Sequence, residues 1–183
     1  MKKFYPCWLV ITFLTFLSSC APKILPLKNK YSDGIYETKS TADFETVWGK
    51  VIELFAKTGI GIKLIDKSSG LIVAYSATAP VTTEDANGKI KDPTAWVVAE
   101  KYYDPGPKKV YFPKYTDIDW NIYVKKDPDN KDMTIINVNL ITPYAISNYY
   151  VSGSVFGQTS NPNIRSKIRS TGVFEKTIAD KIK

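Results

Sequence analysis

"DFETVWGKVIELFAKTGIGIKLIDKSSGLIVA", residues 43–74, carries the strongest periodic signal in the chain. Phe44, Val47, Trp48, Val51, Leu54 and Phe55 recur at i, i+3, i+4, i+7, i+10 and i+11. That spacing predicts an amphipathic helix with one broad apolar face. Ser40 with Asp43 gives an [ST]-x-x-[DE] start, and Asp43 and Glu45 lie near the positive end of the helix dipole. Glu53 and Lys57 form a favourable i,i+4 pair, and Gly59 supplies the stop. Trp48, set among aliphatics at helical spacing, reads as core and not as a ligand platform. After Gly59 the period changes to two. Ile60, Ile62 and Leu64 alternate, "KSSG" turns, and "LIVAYSA" returns, which predicts a β-hairpin.

Outward from this unit the pattern stays mostly extended. "AWVVAEKYY" (95–103) reads as a third strand. "DIDWNIYVKK" (117–126) alternates through Ile118, Trp120, Ile122 and Val124. "DPDNKD" is a turn, and "MTIINVNLIT" pairs back through Ile136, Val138 and Leu140. "GIYETK" adds an edge strand ahead of the helix. "GVFEKTIADKIK" closes with a second helix that has Phe174, Ile178 and Ile182 on one face and Ser170 or Thr171 at its start. The expected fold is α+β: one antiparallel β-sheet with two helices packed on one face, in a single domain over residues 31–183. Three segments lack periodicity and read as long loops: 78–93, 104–116 and 143–163.

Residues 43–74 resemble the helix-hairpin unit of the helix-grip domains in the BamC lipoprotein family. The resemblance rests on Trp48 and Val51 in the helix, Gly59 at its end, Ile62 and Asp66 in the strand, and Gly70 opening the return strand. "STGVFEKTI" suits the last helix of such a domain. The resemblance implies a helix-grip-like fold and a bacterial lipoprotein.

The N-terminus gives a cellular address. Lys2 and Lys3 precede an apolar stretch over residues 4–17 that shows no amphipathic stripe. Its length fits a secretory h-region and is short for a membrane-spanning helix. Leu17-Ser18-Ser19-Cys20 then resembles the lipobox of bacterial lipoproteins, in which the cysteine is lipidated and becomes the first residue. Residues 1–19 read as the signal peptide, with Cys20 as the lipidation site and residues 20–30 as an irregular tether. Cys7 departs with the signal, so the mature chain holds one cysteine, already blocked. Two or three acyl chains anchor firmly where one does not. Ala21 lacks the acidic character that the lipoprotein family associates with inner-membrane retention. The expected location is therefore the bacterial cell envelope, on the inner leaflet of the outer membrane, facing the periplasm.

Composition narrows the chemistry. The formal charge of +7 is carried by lysines, with arginine only at Arg165 and Arg169. Scattered lysines suit a solvated surface or anionic lipid headgroups, and no nucleic-acid partner is expected. No histidine occurs, which excludes Ser-His-Asp and Cys-His nucleophile systems and histidine-ligated zinc. No cofactor or metal is expected; "DPDNKD" lacks the glycine and terminal glutamate of a calcium loop. The tyrosine-rich loops are the candidate contact surface for another envelope protein: Tyr102, Tyr103, Tyr111, Tyr144, Tyr149, Tyr150 and Phe156. Tyrosine offers large contact area at low entropy cost. Two alternatives remain open. One is a peptidoglycan- or carbohydrate-processing enzyme using Asp117 and Asp119, i and i+2 on one strand face. The other is a carrier of a lipid or muropeptide between helix and sheet.

Overall fold

The computed structural model describes residues 23–104, 109–141, 144–148 and 163–183. Its centre is an antiparallel ladder of two strands, β10 (Trp120–Lys126) and β11 (Thr134–Leu140). Trp120, Ile122 and Val124 are fully buried and stand opposite Leu140, Val138 and Ile136. The period-two pattern of both segments therefore places Trp120, Ile122, Val124, Ile136, Val138 and Leu140 on one face. On one side β11 pairs with β2 (Ile35–Ser40); on the other β10 pairs with β4 (Leu71–Ala74), and β4 with β3 (Ile62–Asp66). The β3–β4 turn is held by Asp66. The hydroxyls of Ser68 and Ser69 donate to its carboxylate and hold its pKa at about 2.

Helix α1 (Phe44–Thr58) buries Val47, Trp48, Val51, Leu54 and Phe55, the face that periodicity predicts. Gly59 ends it in a left-handed conformation, and Lys57 meets Glu53 at 2.5 Å. Its N-cap is Asp43, whose carboxylate accepts from the Thr46 amide at 2.9 Å. Ser40 instead ends β2, its hydroxyl accepting from the Ala42 amide. Helix α2 (Val173–Ile182) lies against β11, β2 and α1. An aromatic chain ties these layers together. Phe55 stacks on Trp120 at 5.5 Å, Phe174 meets Trp120 edge-on at 5.0 Å, and Trp96 packs on Phe174 at 4.5 Å.

The second half of the architecture departs from expectation. Strands β5 (Ala77–Thr82), β6 (Val97–Ala99), β9 (Tyr115–Ile118), β12 (Tyr144–Asn148) and β13 (Asn163–Ser170) form a second five-stranded sheet, in the order β12-β13-β6-β5-β9. Its two outer strands, β12 and β9, curve back toward each other, so the sheet is a barrel with one open seam. A third sheet joins β1 (Lys23–Leu25), β7 (Lys101–Asp104) and β8 (Lys109–Tyr111). The helix-grip-like α+β fold, a single antiparallel sheet with two helices on one face, is thus overturned. The described residues are mostly strand, arranged in three sheets, and β5 and β6 run parallel. The reason is the size of the barrel. Its interior is filled by Ala79, Val81, Val97, Ala99, Ile118, Ala145 and Ile168, with Ser166 and Ser170 also buried. A narrow barrel needs small inward side chains, so its strands carry little of the hydrophobic signal that marks a strand.

Two segments that read as single strands are each divided between sheets. "AWVVAEKYY" breaks at Glu100 into β6 of the barrel and β7 of the three-stranded sheet. "DIDWNIYVKK" breaks at Asp119 into β9 of the barrel and β10 of the central sheet.

One buried carboxyl sits where these layers meet. Glu175 in the first turn of α2 is fully buried; the Ser170 hydroxyl donates to its Oε1, and Oε2 has no partner among the described residues. Burial raises its pKa above 4.5, with the Ser170 bond opposing. The folded state therefore holds this proton more tightly than the unfolded chain. Stability falls as pH rises from about 4.5 through the folded pKa. Glu175→Gln keeps the shape and removes the charge. It is expected to gain on the order of 1 kcal/mol at about pH 7.5, or about 2–4 °C in Tm. Melting curves at about pH 4.5 and 7.5 check this. An unchanged Tm at the higher pH contradicts it.

Candidate functional site

The open seam begins where the central ladder splits. β10 and β11 stay paired as far as Trp120 opposite Leu140, and the Ile141 amide then donates to the Asp119 carbonyl at 2.8 Å. Beyond that bond the two chains diverge, one into β9 and the other into β12. Among the described residues no strand pairs with the outer edge of either. Between them lies a cleft of about 450 Å³ lined by Thr78, Tyr115, Thr116, Asp117, Tyr144 and Ile146. Tyr115, Tyr144 and Ile146 are 65%, 52% and 59% exposed, and Ile141 at the base is half exposed. So many large apolar groups on two unpaired strand edges are what soluble domains normally avoid. Tyr144 also lines a second cleft of about 290 Å³ that runs inward over Val97, Ile118 and Ile168, past the Arg169–Asp33 ion pair at 2.5 Å.

The tyrosines singled out from sequence fall in different places. Tyr102 is buried in the central strand of the three-stranded sheet and stacks on Tyr111 at 5.6 Å, so it offers no surface to a partner. Tyr103 is half-buried on the opposite face of that sheet, level with Lys23 and Val110. Of the four that fall among the described residues, Tyr144 alone lines the seam. Tyr149, Tyr150 and Phe156 lie outside the described residues, as does Cys20. The seam adds Tyr115, Ile141 and Ile146. Their signal in the sequence is weak, because Tyr115 and Ile146 are ordinary outward strand residues until a neighbour strand is missing, and Ile141 lies just past the end of β11.

Asp117 and Asp119 each hold separate hydrogen-bond partners in this arrangement. Asp117 accepts from the Thr78 hydroxyl at 2.9 Å, within the barrel. Asp119 stands at the crossing between sheets and accepts from the Ser76 hydroxyl at 2.6 Å and Lys63 at 3.1 Å. The Ser76 bond first, and then Lys63, lower the Asp119 pKa, which favours the ionised form and not a proton donor. Glu84, its carboxylate also in a polar loop, has a different task. It is buried and accepts from the Lys28 amide at 2.6 Å, the Asn29 amide at 3.0 Å and the Tyr31 hydroxyl at 2.6 Å. Asn29 and Lys28 also donate to the carbonyls of Gly88 and Ala86. Residues 23–31, read from the sequence as tether and domain entry, are thus strapped down. β1 pairs with β7, and the following residues are held by the loop around Glu84.

Among the described residues no group of three acidic, cysteine or histidine side chains is placed to hold a metal, and no helix is long and apolar enough to cross a membrane. No protein-family model matches the chain, and no curated protein matches it.

Proposed function

We propose that this chain is a lipid-anchored envelope protein, facing the periplasm, that holds an extended segment of another envelope protein in the seam between β9 and β12. The observation that carries the reading is the pair of strand edges that no described strand pairs, flanked by exposed Tyr115, Tyr144 and Ile146. An incoming strand satisfies the edge amides and carbonyls, and the cleft between them takes alternate side chains. Anchoring through Cys20 rests on the lipobox resemblance and brings the seam to partners in the same membrane system.

The test is site-specific photo-crosslinking in intact envelopes from position 146. A discrete adduct is expected, and Tyr144→Asp should reduce it at least about tenfold, since a charge at an apolar contact centre costs roughly 1.4 kcal/mol or more. Equal adduct in the Tyr144→Asp chain removes the seam from the reading. Cys20→Ala should leave an unprocessed or soluble form. Normal membrane retention of a processed Cys20→Ala chain refutes the anchor.

A further inference from the structure

We propose that one face of the β1–β7–β8 sheet lies against the headgroup layer of the membrane that holds the lipid. The inference rests on the Cys20 anchor proposed above and adds an orientation to it. Only Ala21 and Pro22 separate Cys20 from Lys23, the first residue of β1. Three residue steps span at most about 11 Å, so the sheet cannot leave the neighbourhood of the acyl chains. It cannot pay out more chain either, because β1 is paired with β7 and Lys28, Asn29 and Tyr31 are bound to Glu84.

The face so positioned has suitable chemistry. Register places Lys23, Tyr103 and Val110 side by side on it. Val110 is 49% exposed, and Phe112, just past β8, is 40% exposed. Lys28, Lys30 and Lys114 are exposed nearby in sequence to the same strands. Tyrosine and short apolar groups favour the interface between headgroups and acyl chains, and each lysine near an anionic surface adds attraction. A bilayer containing anionic headgroups meets both requirements with no further partner.

Once Cys20 is acylated and Cys7 removed, a cysteine placed at position 110 is the sole free thiol. The processed full-length lipoprotein carrying Val110→Cys, labelled with an environment-sensitive fluorophore, is reconstituted into phosphatidylethanolamine–phosphatidylglycerol vesicles. Glu53→Cys, on the exposed side of α1, is the comparison site. Quenching by spin-labelled lipid is expected to be several-fold greater at position 110 than at 53. Equal quenching at both sites, in a sample whose mass shows acylated Cys20, overturns the orientation and leaves the anchor standing. Shielding of position 110 from aqueous iodide without lipid quenching means that protein covers the face, and also overturns it. A processed chain with no acyl mass on Cys20 refutes the anchor and, with it, the premise of this inference.

Discussion

Glu84→Ala is expected to lower the stability of the fold by about 2–4 kcal/mol, because it removes three charge-assisted hydrogen bonds at once. The Lys28 and Asn29 amides lose their carboxylate acceptor, and the Tyr31 hydroxyl loses a bond of 2.6 Å. At about 2–4 °C per kcal/mol for a chain of this size, Tm should fall by roughly 4–16 °C. Hydrogen exchange at the Lys28 and Asn29 amides should accelerate more than exchange in β10. Protection of those amides at the wild-type level would show that the strap is held by β1 alone. The pH dependence has a definite sign. Burial pushes the Glu84 carboxyl up, but the Lys28 amide, the Tyr31 hydroxyl and Asn29 outweigh it and leave the pKa below 4.5. A depressed carboxylate stabilises above its unfolded value and loses that contribution as pH falls through the folded pKa. The wild-type strap should therefore loosen below about pH 4.5, and the Glu84→Ala chain should show no such step.

Gly70→Ala is expected to be as damaging, for a steric reason. Gly70 has φ +77°, a left-handed conformation, and a Cβ there would come within 1.9 Å of the Val124 carbonyl oxygen. Nothing flexible can move aside, since the Val124 amide donates to the Gly70 carbonyl at 2.8 Å and sits in the centre of the sheet. Relief requires parting β4 from β10, next to fully buried Ile72 and Ile122. The loss should reach about 4 kcal/mol. Gly59→Ala is the control. Its φ of +68° carries the conformational cost, but no atom lies within 4 Å of the added Cβ, so about 1 kcal/mol is expected. Urea unfolding of the two variants separates the effects. Equal midpoints would mean that close approach to Val124 is not limiting.

The contrast between these residues shows how far the sequence could be read. Helix α1, the β3–β4 hairpin and the β10–β11 ladder each express one strong period over seven or more residues or a short turn between two strands. Their buried faces follow directly. The barrel does not announce itself this way. β5 reads Ala-Thr-Ala-Pro-Val-Thr, with Ala77, Ala79 and Val81 as its apolar inward residues, and β13 turns Ser166, Ile168 and Ser170 inward. Glu100 and Asp119 were illegible as crossings, because strand periodicity continues across a change of sheet. Residues 23–31 contain three lysines, one proline and no period. Their order comes from Glu84, more than fifty positions away. The seam was legible only through Tyr144, since exposure at an unpaired edge is a property of the missing neighbour.

If Cys20 carries the lipid proposed above, the strap around Glu84 also sets how the domain would search for a partner. An eleven-residue tether, residues 20–30, would reach about 36–40 Å from its lipid at full extension. With Lys23 already in a strand, the leash shortens to about a quarter of that, and the swept volume, which scales with the cube of reach, shrinks roughly fifty-fold. The domain trades range for local concentration. On the proposed anchor it would meet partners whose exposed segments run close along the bilayer, and it would pass beneath those that present them higher in the periplasm.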